Sequence, residues 1–262
     1  LDHQHFLGDT LAKIAFEKAG ILKRGVTAIV GPQQDDALEV IERQAEKVGA
    51  PLLVHGQHWH VNVEAERLIY QDETGLLDLP LPNLPGPHQI QNAGAAIATL
   101  RYLGMDEIAC TAAITQAYWP ARMQRLRTGP LVENLASNEV WLDGGHNPAA
   151  GRAIAGTLAS LAKRETHIIC GMINTKDVKG FLAPIATHCA SLTAVTIPNE
   201  PNAVPAPDLA NFGRSCGLIS FEGVNIDQVL RDISKRHPEA RILICGSLYL
   251  AGHVLRENDE TA

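Results

Sequence analysis

Five short apolar runs at regular spacing constrain the second half of this chain most strongly. "EVWLD", "THIIC", "SLTAVTI", "GLISF" and "RILIC" begin near residues 139, 166, 191, 217 and 241. All are β-rich, and each is followed by a loop. Four of the loops lead into a helix-like stretch, such as "PAAGRAIAGTLASLA" or "NIDQVLRDISKR"; the one after "SLTAVTI" is long and Pro-rich. Strand alternating with helix at this pitch means βαβ units and a parallel sheet. Residues from about 130 to 256 are therefore expected to form one α/β domain, with the tail "ENDETA" frayed.

The first half is mixed. "VTAIVG" and "PLLVHG" read as strands either side of an amphipathic helix over "DDALEVIERQAEKVG", and "HVNVEAERLIYQD" alternates like an antiparallel hairpin. "LLDLPLPNLPGP" reads as an edge or linker, and "QIQNAGAAIATLRYLG" and "MDEIACTAAITQAY" as two helices. Gly129-Pro130 in a basic stretch places the break between halves near residues 125–131. A length of 262 residues accommodates one large domain or two modest ones. A net charge of -7 gives no electrostatic reason to expect nucleic acid or an anionic membrane as a partner. Cys110, Cys170, Cys189, Cys216 and Cys245 are odd in number and form no C-x-x-C pair, as expected of reduced, buried thiols in a cytoplasmic protein. The opening "LDHQHF" reads as mid-domain sequence, so the chain is expected to be a fragment of something longer.

Neither G-x-x-x-x-G-K-[ST] nor G-x-G-x-x-G occurs in the chain, so it holds no complete phosphate cradle of those kinds. Other stretches stand out. On a helix over "TLAKIAFEKAGILK", Lys18 falls about 20° from Leu11 and about 40° from Ile14, inside an apolar stripe where a leucine is expected. His3 follows Asp2 just ahead of that helix. His88, Gln89 and Asn92 follow a Gly-Pro turn, and Arg122 sits in "WPARMQ". Asp143 and His146 occupy the loop after the first strand of the second half, and Pro148 suits a helix's first turn. Ser247 lies in a matching strand-to-helix loop, where a plain N-cap would also explain it.

In this order and spacing, "LDHQHFLGDTLAKIAFEKAGILK", "LPGPHQIQNAGAAI", "YWPARMQRL", "WLDGGHNPAA" and "GSLYLAG" resemble the folylpolyglutamate synthase and dihydrofolate synthase family of the Mur ligase superfamily. The resemblance implies an α/β fold in two parts. Residues 1–126 would be the C-terminal part of a P-loop ATPase domain, the Mur ligase central domain; residues 127–262 would be a complete Rossmann-like domain carrying part of the amino-acid site. It implies ATP-dependent ligation of L-glutamate to a pteroate or folate carboxylate through an acyl phosphate, with Mg2+, in a cytoplasmic monomer.

The site residues follow from the same resemblance. His3 would be a magnesium ligand, and Lys18 would be carbamylated and face the metal. Only a neutral amine reacts with carbon dioxide, apolar neighbours favour that form, and the product is an oxygen-bearing anion suited to a hard cation. Gln89 and Asn92 would meet ATP, Arg122 its phosphates and Asp143 its ribose, while His146 and Ser247 would lie at the incoming glutamate. Ala121 stands where the family has glycine, and Thr175 departs from the family's D-K-D, leaving the Thr175-Lys176-Asp177 loop without an assigned role. Another Mur-type ligase and a non-catalytic binding module that lost its P-loop are the alternatives. On the fragment reading, the chain alone is expected to neither hydrolyse ATP nor ligate glutamate.

Overall fold

The computed structural model describes residues 10–135 and 137–259. They divide into two compact units, up to Tyr118 and from Trp119 onward.

In the first unit, helix α1 (Leu11–Ala19) is capped by Thr10, whose hydroxyl accepts from the Lys13 N–H, and it packs against α2 (Asp35–Val48) through Ala15, Ala37 and Val40. Strands β1 (Ala28–Val30) and β2 (Leu52–Val54) run parallel on either side of α2 in sequence, a small βαβ unit. Strands β3 (Trp59–Glu64), β4 (Arg67–Asp72) and β5 (Gly75–Leu79) form an antiparallel meander. Its inner face buries Trp59, Val61, Leu68, Tyr70, Leu77 and Leu79 with Ala93, Ile97 and Ala98 of α3 (His88–Tyr102) and Cys110 and Ile114 of α4 (Glu107–Thr115). Gly94 makes that packing possible: a Cβ there would lie 2.5 Å from Val61 Cγ1 and 2.8 Å from the Trp59 ring.

The second unit is a six-stranded sheet in the order β10-β9-β8-β11-β7-β6, formed by β6 (Gln124–Leu126), β7 (Glu139–Leu142), β8 (Thr166–Cys170), β9 (Ser191–Val195), β10 (Ile219–Gly223) and β11 (Arg241–Cys245). All pairs are parallel except β6 with β7. Strands β8, β9 and β11 are buried along their whole length, because helices cover both faces. Side chains alternate accordingly. Ile168, Leu192, Leu243 and Cys245 pack with α5 (Pro148–Ser160), α6 (Val178–Ala186) and α7 (Ala206–Ser215). Ile169, Val195, Ile242 and Ile244 pack with α8 (Ile226–Arg236) and α9 (Leu248–Glu257).

Three expectations change. The break between units falls at 118/119 rather than 126/127, because Gln124–Leu126 pairs with β7 and so belongs to the second sheet. The Pro-rich loop after β9 leads into α7, with proline in its first turn, whereas the stretch after β4 opens with β5, the edge strand of the meander, in keeping with the edge reading. Cys110, Cys170 and Cys245 are buried free thiols, whereas Cys189 and Cys216 are half-buried. Among the described residues no helix is long and apolar enough to cross a membrane.

Candidate functional site

The strand order of the second unit creates a crevice. β7 and β11 are neighbours, yet β7 runs into α5 on one face of the sheet and β11 into α9 on the other. Where adjacent strands send their following helices to opposite faces, the loops at the carboxyl ends part, and open α/β sheets bind ligands there. The loops at this point are residues 143–147 and 246–247, which carry Asp143, His146 and Ser247. They are tied together by the Gly246 N–H, which donates to Gly145 O at 3.1 Å. Gly246 has φ +111°, and a Cβ there would lie 2.7 Å from both Cys170 Sγ and Gly171 O, so the close approach requires glycine.

Asp143 is only 8% exposed, and its carboxylate works as a clamp. Oδ1 accepts from the Gly145 N–H at 2.7 Å and Oδ2 from the Met123 N–H at 2.8 Å. The Gly144 N–H donates back to Ala121 O at 2.8 Å. These bonds hold a tight turn in which Ala121 (φ 54°) and Met123 (φ 42°) both occupy the left-handed region. The side chains of Ala121 and Met123 are buried, and Arg122 between them is exposed. The structure thus brings Arg122, Asp143, His146 and Ser247 to one end of one sheet. Sequence reading missed the clamp and the strained turn; the one available signal was alanine where the resembled family has glycine.

The remaining residues of this end are defined by caps and turns. His146 Nδ1 lies 3.0 Å from Gly144 O; a carbonyl only accepts, so Nδ1 carries the proton and Nε2 is the acceptor of the neutral ring. Asn147 caps α5 through the Ala150 N–H, and Pro148 occupies its first turn as expected. Ser247 is 3% exposed and is the N-cap of α9, its Oγ accepting from the Tyr249 N–H at 3.0 Å. In the 175–177 loop, Asp177 caps α6 by accepting from the Gly180 N–H at 2.9 Å. Lys176 and Asp177 line a cavity of ≈ 820 Å³ with Asp208 and Phe212 of α7.

In the first unit, Gln89 and Asn92 open α3. Gln89 is 6% exposed and accepts from Asn92 Nδ2 at 2.9 Å, while its own amide lies 3.1 Å from His88 Nε2. Asn92 is exposed, so the buried amide orients the surface one. Lys18 departs from expectation. It lies on the arc between Ile14 and Leu11, but burial is confined to Ile14, Ala15 and Ala19 and the lysine is exposed. It sits in the last turn of α1, beyond the contacts that α2 makes with the helix through Leu11, Ala12 and Ala15. The described residues therefore provide no apolar shield around it. His3 lies outside the described residues.

A parallel α/β unit with clamped polar loops at a strand-order reversal has the construction of a ligand-binding domain of the doubly wound class. Residues 132–257 match the family model described as the dihydrofolate synthetase C-terminal domain. The chain is 28% identical to the folylpolyglutamate synthase of Lacticaseibacillus casei over 266 residues, 97% of this chain and 59% of that protein. It superimposes on E. coli FolC in complex with DHPP and ADP with a TM-score of 0.83 at 29% identity, covering 98% of this chain and 58% of that one. A bifunctional folylpolyglutamate synthase/dihydrofolate synthase with Mn, AMPPNP and L-glutamate bound gives 0.81 at 25% identity, covering 98% and 59%. Over almost its whole length the chain is similar to the folylpolyglutamate synthase and dihydrofolate synthase family, whose C-terminal domain residues 132–257 match. It spans about three-fifths of the length of the relatives it matches.

Proposed function

We propose that this chain takes part in the ATP-dependent addition of L-glutamate to a pteroate or folate carboxylate. The observation that carries the reading is the convergence of Arg122, Asp143, His146 and Ser247 at the strand-order reversal of the second unit. It is supported by relatives of the same fold that hold ADP, or AMPPNP with L-glutamate. In this reaction ATP phosphorylates the acceptor carboxylate, and the glutamate amine displaces the phosphate.

The roles follow from side-chain chemistry. Arg122 projects from a clamped turn, and a guanidinium so placed stabilises charge on a transferring phosphoryl group. Gln89 holds Asn92, whose amide both donates to and accepts from adenine edges. Each carboxylate oxygen of Asp143 has two acceptor lone pairs, so clamping the turn is compatible with a contact to the nucleotide ribose. His146 offers an acceptor nitrogen near the glutamate, and Ser247 keeps its O–H to donate while its lone pair caps α9. The cytoplasm, a monomeric state and the absence of nucleic-acid or membrane partners belong to the same reading.

The described residues fit a magnesium ion only in part. His3 lies outside them, and the ammonium of Lys18 has no lone pair to offer, so Lys18 qualifies as a ligand only as its carbamate. When bound, the ion would neutralise phosphate charge; none of the roles above is routed through it.

The test is glutamate addition, with ATP, by the protein carrying these residues, using dihydropteroate and tetrahydrofolate as separate acceptors. Product is expected with at least one acceptor, and Arg122→Ala should lower kcat by about 100-fold with a smaller change in the KM for glutamate. Absence of glutamate addition to both acceptors overturns the reading; an unchanged kcat removes Arg122 from it. Residues 1–262 alone, lacking a phosphate-binding loop, should show no ATP turnover.

A further inference from the structure

The amino ends of the same parallel strands, opposite the loops just described, carry a second cluster that the ligase reading leaves unused. Glu165 immediately precedes β8, His167 is the second residue of β8, and His237 follows α8 on the approach to β11. One donor atom from each residue lies within 4.8 Å of the others. His167 is 3% exposed, and its Nε2 is fully buried with no hydrogen-bond partner. That atom lies 3.6 Å from Glu165 Oε1, too far for a hydrogen bond. On the other side of the carboxylate, His237 Nδ1 lies 3.2 Å from Glu165 Oε2. The two imidazole rings are 4.2 Å apart, centroid to centroid.

A lone buried imidazole nitrogen costs free energy unless something occupies its lone pair. We propose that Glu165, His167 and His237 bind one divalent transition-metal ion, with Zn2+ the best match. A tetrahedral ion with bonds of about 2.0–2.2 Å separates its donor atoms by about 3.3–3.6 Å; the carboxylate lies between the two rings, Oε1 3.6 Å from His167 Nε2 and Oε2 3.2 Å from His237 Nδ1, so one of its oxygens can take a ligand position with little movement. Two imidazoles and one carboxylate suit zinc or a neighbouring transition ion and not magnesium or calcium, which prefer oxygen donors.

The surroundings have the features of a metal centre. His167 Nδ1 lies 2.7 Å from Ser191 Oγ. Donating there fixes the tautomer that leaves Nε2 as the acceptor, as an outer hydrogen bond does for metal-binding histidines. At His237, metal binding replaces the Nδ1 proton shared with Glu165, and the ring proton then sits on Nε2. A cavity of ≈ 550 Å³ bordered by Lys163, Arg164 and Arg236 opens beside the cluster and gives access. Those cations repel a bare divalent ion but favour an anion, hydroxide or a small carboxylate, as its fourth ligand. The ion would pin the start of β8 to the turn before β11, and its role is structural or regulatory, not part of ligation.

The experiment uses the full 262-residue chain, stripped with chelator and titrated with ZnCl2 by calorimetry and with CoCl2 by visible absorption. One Zn2+ per chain is expected, with micromolar or tighter affinity, a tetrahedral cobalt spectrum without thiolate charge transfer, and a Tm rise of about 5–10 °C at saturating zinc. MgCl2 at the same concentration should not compete. Glu165→Gln and His237→Ala change side chains that are 52% and 36% exposed, so the fold should tolerate both, and each should weaken zinc at least about tenfold. Absence of stoichiometric binding by the unaltered chain overturns the proposal. So does zinc binding that both variants retain unchanged, which would place the ion on the free cysteines. If His237→Ala does not fold, Glu165→Gln decides alone.

Discussion

The candidate residues of the two units are held in opposite ways. In the second unit Asp143 and Ser247 are buried, and each accepts from backbone N–H groups within its own loops or the adjoining turn. In the first unit Lys18 and Asn92 are exposed, and Lys18 extends from the last turn of a helix whose apolar contacts lie elsewhere. A residue of the first kind shapes the site whether or not it touches a ligand. A residue of the second kind contributes little to stability, so its chemistry has to be read from activity. Substitutions should therefore separate the two sets by which quantity they change.

The largest separation is expected at Lys18. Because the side chain is exposed, Lys18→Ala and Lys18→Arg should leave stability within about 0.5 kcal/mol, and alanine suits a helix well. If the lysine acts as a carbamate, both changes should lower glutamate ligation on the order of 100-fold or more, because a guanidinium stays protonated and cannot take up carbon dioxide. Thermal melts and ligation rates on the same preparations check this. Full activity in Lys18→Arg breaks the comparison by making Lys18 an ordinary surface residue.

Asp143→Ala should show the reverse pattern in urea titrations. Its carboxylate serves two backbone donors, one of them buried. Charge-assisted bonds of this kind are worth about 1.5–3 kcal/mol each, so a loss of about 3 kcal/mol is expected. A loss below 1 kcal/mol would show that the turn at 121–123 is held by something other than the clamp.

The first unit has its own half-buried charge, which tests whether burial or unit membership sets the behaviour. Desolvation alone would raise the pKa of Asp72, but hydrogen bonds from Arg101 and Thr74 overcome it and hold the carboxyl at about 2, below its ordinary 3.8. With the folded value depressed, this stabilisation is complete above pH 3.8 and is lost as the pH falls through about 2. Asp72→Asn should cost about 2 kcal/mol at pH 7 and little at pH 2. Denaturation of residues 1–262 followed at a first-unit probe such as Trp59 fluorescence measures both. Equal cost at both pH values would assign the loss to geometry and not to charge.

Much of this was legible in the sequence, and the exceptions have physical causes. The strands β8, β9 and β11 announce themselves because two covered faces demand continuous apolar runs. Gln124–Leu126 carries no such signal; three residues become a strand by pairing with β7, with the Arg125 guanidinium 5.5 Å over the Trp141 ring. Helix α7 hides behind prolines that suit its first turn but read as loop. The loops holding Asp143, His146 and Ser247 follow from strand order, which alternation alone does not fix. The clamp on Met123 was unreadable, since no pattern of letters says which backbone N–H a carboxylate will meet. Lys18 lies on the expected arc, yet the arc extends past the part of the helix that α2 covers.

The smallest effect is expected at Ala121, and three opposed terms decide its sign. A left-handed φ of 54° costs an L-residue about 1–2 kcal/mol relative to glycine. Glycine gives back about 0.5–1 kcal/mol through the entropy of the unfolded chain. The Ala121 methyl is 5% exposed and packs in the core with Leu126 and Leu142, and deleting it loses about 0.8 kcal/mol. The terms nearly cancel, so Ala121→Gly should change stability by no more than about 0.5 kcal/mol, which accounts for alanine being acceptable in this turn. Ala121→Val should cost about 2–4 kcal/mol, because a β-branched side chain at positive φ is a steric outlier and the site is already filled. Urea titration of the two variants beside the unaltered chain measures both. Stabilisation of more than about 1 kcal/mol by glycine would show that the methyl packs weakly and that the turn is a source of strain next to Arg122.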